Sequence, residues 1–109
     1  MHPSRALRYA LTLLLLPFGS ALAAQVQVAV AANFTAVAQE LEPIFEAESG
    51  HELELSFGAT GQFYTQISQG APFGVFLAAD TERPELTISE GFGVDGTFFI
   101  YAQGRLALY

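Results

Sequence analysis

The sequence has 109 residues, with four Lys and Arg against eleven Asp and Glu, a net charge of −7, and no cysteine. That balance excludes a surface that attracts nucleic acid or anionic lipid at long range. The missing thiols exclude a disulfide framework and thiolate metal sites.

Residues 1–24, "MHPSRALRYALTLLLLPFGSALAA", read as a signal peptide rather than as fold. Arg5 and Arg8 form a charged front, an apolar run follows from Tyr9 to Pro17, and small residues end at Ala21-Leu22-Ala23-Ala24. The apolar core is shorter than the roughly 20 residues that span a bilayer, which disfavours the competing reading of a signal anchor. Cleavage is expected after Ala23 or Ala24, giving an exported, soluble chain. It leaves two basic residues, Arg83 and Arg105, against eleven acidic ones, a net charge of −9.

Val26, Val28 and Val30 alternate with Gln27 and Ala29 and predict a first strand. Phe34, Val37, Ala38, Leu41, Ile44 and Phe45 then recur at spacings of three and four, the apolar face of a helix. Pro43 is expected to kink it, because proline cannot donate to the carbonyl four residues back. Ser49-Gly50 ends it. "HELELSF" alternates Leu53, Leu55 and Phe57 with Glu52 and Glu54, which suits a strand at a sheet edge.

"FGATGQ" is a turn, and "QFYTQISQG" a short helix with Phe63 and Ile67 inward. "FGVFLAAD" is almost continuously apolar and reads as a central strand. "TERPELTISEG" predicts a third helix, with Pro84 in its first turn and Leu86 and Ile88 as packing residues. "TFFIYA" and "RLALY" read as one or two further strands running to Tyr109, so the sequence is expected to be the front part of a longer protein. The alternation predicts an α/β fold, a mostly parallel sheet with helices on both faces and a strand order beginning 2-1-3.

Open parallel sheets bind ligands beyond the carboxyl ends of their strands, where strand order reverses. The turns there are "AANFT" and "FGATG". Each leads into a helix and offers unpaired N–H groups and the positive end of a helix dipole, a neutral anion site. Asn33 adds an amide, Thr35 and Thr60 add hydroxyls, and Gly58 and Gly61 allow close backbone approach. The competing reading makes Asn33 and Thr60 ordinary N-caps.

Asp80, after the third strand, has no carboxylate partner in the other turns and reads as a cap. His51 stands alone, without a second ligand at metal spacing. Arg83 and Arg105 read as surface ion pairs. No nucleophile elbow or phosphate-binding loop occurs, and no residue is assigned a catalytic role.

"VAVAANFTAVAQELEPIFEAESGHELELSFGATGQFYTQISQGAPFGVFLAADTERPELTISEGF" resembles the amino-terminal part of the periplasmic molybdate-binding proteins of ABC transporters. The markers are the Ala-Asn-Phe turn, "SFGATGQFYTQI" and "QGAPFGVFLAAD". The resemblance implies the first lobe, truncated at residues 25–109, of a two-lobed type II periplasmic binding protein. Molybdate or tungstate would be held by neutral donors, with no cofactor and no cation ligand.

It also implies a monomer that hands its anion to a membrane permease with its ATPase. The family's first oxyanion-contacting turn, a Ser or a Thr-Asn pair, falls on Ala32 and Asn33. Its second, often a Ser-Ser pair, falls on Ala59 and Thr60. Asn33 and Thr60 keep side-chain donors, whereas Ala32 and Ala59 offer only N–H groups. The alternatives are a binder of sulfate or thiosulfate, a sensory binding domain without a transporter, and an exported α/β enzyme using Asp80 or Thr60. With one wall of a two-lobed cleft, the 109 residues alone are expected to bind no oxyanion tightly.

Overall fold

A computed structural model describes residues 23–108. Apart from Ala23 and Ala24, the leader expected over residues 1–24 lies outside the described residues. The described chain contains β1 (Gln25–Ala31), a 3-10 turn (Ala32–Phe34), α1 (Thr35–Ser49), β2 (Glu52–Gly58), α2 (Thr60–Ser68), β3 (Val75–Leu77) and α3 (Glu82–Ser89). No helix among the described residues is long and apolar enough to cross a membrane.

The sheet is parallel and ordered β2-β1-β3, as the alternation predicts. In β1, successive side chains go to opposite faces. One face carries Val28 and Val30, packed with Ala38 of α1 and with Leu53, Leu55 and Leu77 of the flanking strands. The other carries Ala29 and Ala31, both almost fully buried.

Those small residues leave room for aromatic rings. Phe76, paired in register with Ala29, meets Phe63 of α2 edge-on at 6.5 Å, and Phe73 meets Phe63 at 5.4 Å. Gly58 belongs to this packing, because a Cβ there would stand 3.3 Å from the Phe63 ring. The close approach expected at Gly58 is therefore made by a core ring.

α1 runs unbroken through Pro43 and ends at Gly50, whose φ of 74° is the left-handed conformation that glycine adopts without strain. Val37, Leu41, Ile44 and Phe45 stay close to half exposed, so the sheet covers only part of the apolar face read from the sequence.

α3 corrects another expectation. Its buried residue is Thr87, not Leu86. The Thr87 hydroxyl donates to the Arg83 carbonyl at 2.7 Å, which satisfies the polar atom within the helix and lets the side chain be buried.

Two strand expectations differ from the structure. "FGVFLAAD" shortens to three residues, and β3 has β1 as its single neighbour among the described residues, so β1 is the central strand. Residues 97–108 form no strand. The pattern there is right for a strand, but a strand exists only by pairing its backbone with another. No described strand pairs with this segment, and Phe99, Ile100, Leu106 and Leu108 face solvent.

Candidate functional site

The three strands end level with one another. Ala31 at the end of β1 pairs with Gly58 at the end of β2, and Val30 pairs with Leu77 at the end of β3. Adjacent strands lie about 4.8 Å apart. The segments Ala32–Asn33, Ala59–Thr60 and Ala78–Asp80 therefore leave the sheet side by side along one edge, with β1 in the middle. This is where the crossovers diverge and where open parallel sheets hold ligands.

At the first exit the chain enters a 3-10 turn instead of a full helix. Ala32 and Asn33 are exposed. Among the described residues no side-chain hydrogen bond holds the Asn33 amide, and the residue capping this turn is Ala31, which has no side-chain polar group. The capping alternative is thus not realised at Asn33. Thr35 differs from its expected role as a ligand donor. Its hydroxyl donates to the Ala32 carbonyl at 2.8 Å and so closes the turn.

At the second exit Ala59 caps α2 through its backbone alone, and the first intrahelical bond runs from the Phe63 N–H to the Ala59 carbonyl at 3.1 Å. The N–H groups of Thr60, Gly61 and Gln62 precede it and have no partner inside the helix. A Cβ at Gly61 would meet nothing within 4 Å, so the helix start stands open. The Thr60 hydroxyl oxygen accepts the backbone N–H of Ala79 at 3.0 Å. Its own hydrogen remains to be donated.

The third exit, Ala78–Asp80, completes this edge, and its contacts join it to the other two. Ala78 is buried, and its carbonyl accepts the Tyr101 hydroxyl at 3.1 Å. Tyr101 also meets Phe34, the neighbour of Asn33, edge-on at 5.0 Å. Burial raises the Tyr101 phenol above its ordinary value.

Asp80 behaves as a cap. One carboxylate oxygen accepts the Arg83 N–H at 2.9 Å, and the other lies 3.6 Å from the Arg83 guanidinium. Glu82 also lies 3.6 Å from that guanidinium, so Arg83 is engaged by two carboxylates. Arg105 is exposed. His51 Nδ1 accepts the Ala24 N–H at 3.0 Å, which ties the start of β1 to the start of β2. No group of three metal-ligating side chains occurs among the described residues.

A cavity of about 840 Å³ opens between β3, α3 and residues 92–104, lined mainly by apolar side chains such as Phe76, Pro84, Ile88 and Phe98. Asn33 reaches its wall, but Ala32, Ala59 and Thr60 do not. The lining is mostly apolar, and its charged member is the Asp80 carboxylate, which repels an anion. The open mouth at the strand ends, where the unpaired N–H groups are, is the better candidate site. It offers hydrogen-bond donors and helix-dipole ends, with its nearest guanidinium already paired.

Comparison with known proteins fits this geometry. Residues 26–109 match the family described as bacterial extracellular solute-binding protein. The molybdate-binding protein ModA of Rhodobacter capsulatus is 49% identical over 108 residues, covering 96% of this chain and 43% of that protein. The molybdate-binding protein ModA of Azotobacter vinelandii is 54% identical over 90 residues, covering 83% and 36%.

The solved periplasmic molybdate-binding protein of Azotobacter vinelandii superposes with a TM-score of 0.63 at 37% identity, over 65% of this chain and 31% of that one. A solved substrate-binding domain from Clostridium difficile, at 24% identity and TM-score 0.60, shares the fold. The chain spans less than half the length of these relatives.

Proposed function

Given that the chain belongs to the family of bacterial extracellular solute-binding proteins, we propose that it supplies one wall of a periplasmic binding site for a tetrahedral oxyanion. Molybdate or tungstate is the ligand, and an ABC transporter permease with its ATPase is the recipient. The observation that carries this reading is the pair of uncharged exits from adjacent strands, level at Ala31 and Gly58. Each leads into a helical turn with no side-chain cap bond.

The Asn33 amide and the Thr60 hydroxyl are the side-chain donors, and the backbone N–H groups of Ala32 and Ala59 stand beside them. A dianion held by such groups gains the helix-end dipole and several N–H contacts without a competing proton or counter-cation. Fixed donors select by the metal–oxygen or sulfur–oxygen length of the anion they enclose.

The identity to two molybdate-binding relatives supports molybdate in particular. Hydrolysis finds less support, because the Asp80 carboxylate is turned to the start of α3 and engaged with Arg83, and among the described residues no base touches the Thr60 hydroxyl.

Titration calorimetry of the full-length protein with molybdate, tungstate and sulfate tests the proposal. Heat with molybdate and tungstate, at affinities well above that for sulfate, is expected. Absence of heat with all three would overturn it, and tightest binding to sulfate would reassign the ligand.

A further inference from the structure

We propose that Tyr101 is a positioning residue for this mouth: through Phe34 on one side and the Ala78–Ala79 backbone on the other, it fixes the Asn33 turn relative to the Thr60 turn. The inference rests on the oxyanion reading above and adds to it a residue that touches no ligand.

The segment around Tyr101 has little else to hold it. Phe99 is 72% exposed and Ile100 65%. Tyr101 nevertheless turns back against the sheet, donates its hydroxyl to the buried Ala78 carbonyl and sets its ring edge-on to Phe34. Phe34 packs against the core formed by Val28, Val30 and Ala38, so its ring is held from both sides. On the other side of the contact, Ala79 follows Ala78 directly and donates its N–H to the Thr60 hydroxyl oxygen.

The order of contacts is thus Asn33 next to Phe34, then Tyr101, then Ala78 and Ala79, then Thr60. The ladder between β1 and β3 ends at Val30 and Leu77, before either exit begins. Beyond that point Tyr101 is the side chain that bridges the first exit to the third, and Thr60 bridges the third to the second. Donors fixed before the ligand arrives lose less freedom on binding, and they discriminate better between anions of different size.

Tyr101→Phe keeps the ring and its contact with Phe34 and removes the hydroxyl. Tyr101→Leu removes both. Two measurements on the full-length protein read the effect. Without ligand, amide hydrogen exchange at Ala79 is expected to quicken about fivefold in Tyr101→Phe, the size that loss of one hydrogen bond gives, and further in Tyr101→Leu.

In calorimetry, molybdate affinity is expected to fall by a similar factor, and the preference for molybdate over sulfate to narrow. A side chain that only covers surface would lower the melting temperature and leave affinity and preference alone. That result, or unchanged exchange at Ala79, overturns the proposal while the oxyanion reading stands. If the unaltered protein binds none of the anions yet exchange still quickens, the oxyanion reading fails and the coupling of the exits by Tyr101 holds.

Discussion

The hydroxyl oxygen of Thr60 accepts the backbone N–H of Ala79 at 3.0 Å, across 19 residues of sequence. The bond joins the start of α2 to the end of β3 and leaves the hydroxyl hydrogen for another acceptor. Thr60→Ser keeps both functions, and its molybdate affinity should stay within a few-fold. On the proposed reading, Thr60→Val removes a donor to the anion and leaves the Ala79 N–H to water. A loss of about 2 kcal/mol in binding, some thirtyfold, is expected by calorimetry.

Asn33 separates binding from folding. Asn33→Asp places a carboxylate near the start of a helical segment, where the dipole favours negative charge, so the melting temperature should hold or rise slightly. On the proposed reading the same charge would face an incoming dianion, and molybdate binding should be lost. Asn33→Ala should weaken binding by about 1–2 kcal/mol without a comparable loss of stability. If Asn33→Asp bound molybdate normally, the first exit would not face the ligand.

Asp80 tests binder against enzyme. Its pair with Arg83 is partly exposed, at 40% and 41%, so the ionic part is worth little. Asp80→Asn keeps a side-chain oxygen for the Arg83 N–H and should cost less than about 1 kcal/mol in a denaturant melt. Molybdate affinity should be unchanged.

Gly58 is set by packing. Gly58→Ala pushes a methyl to 3.3 Å from the Phe63 ring, and Phe63 is 5% exposed. The ring must give by a few tenths of an ångström against Phe73 and Phe76. A destabilisation of about 1 kcal/mol is expected. Phe63→Ala removes the ring and should cost about 3–5 kcal/mol.

Alkaline pH should loosen the contacts of both described tyrosines. The Tyr64 phenol is raised above its ordinary value first by its hydrogen bond to the Glu90 carboxylate, and Tyr101 by burial. A phenol whose pKa is higher folded than unfolded stabilises the fold fully below about pH 10, and that contribution fades as pH rises through the folded value. Ultraviolet titration should show two tyrosines ionising later in the folded protein than in denaturant. Tyr64→Phe and Tyr101→Phe should each remove one late step.

The order of elements was legible because periodicity is a local property. Valines two apart made β1, apolar residues three and four apart made α1, and Gly50 stopped it. The alternating glutamates of β2 placed it at an edge, and the structure has it there. The uncharged character of both exits was equally plain, since it needs only the residues that follow each strand.

What the residues offer at those exits was decided by tertiary structure. Thr35 and Thr60 look alike in sequence, yet the first closes its own turn and the second reaches β3. Gly58 read as room for a ligand and proved to be room for Phe63. Tyr101 sat in a predicted strand and lies instead against Ala78 and Phe34, 23 and 67 positions away. Hydrogen bonds and ring contacts over such separations depend on strand register and on which backbone groups remain unpaired once the sheet has formed. No short stretch of sequence carries that information, so the neutrality of the mouth belongs to the sequence and its geometry to the fold.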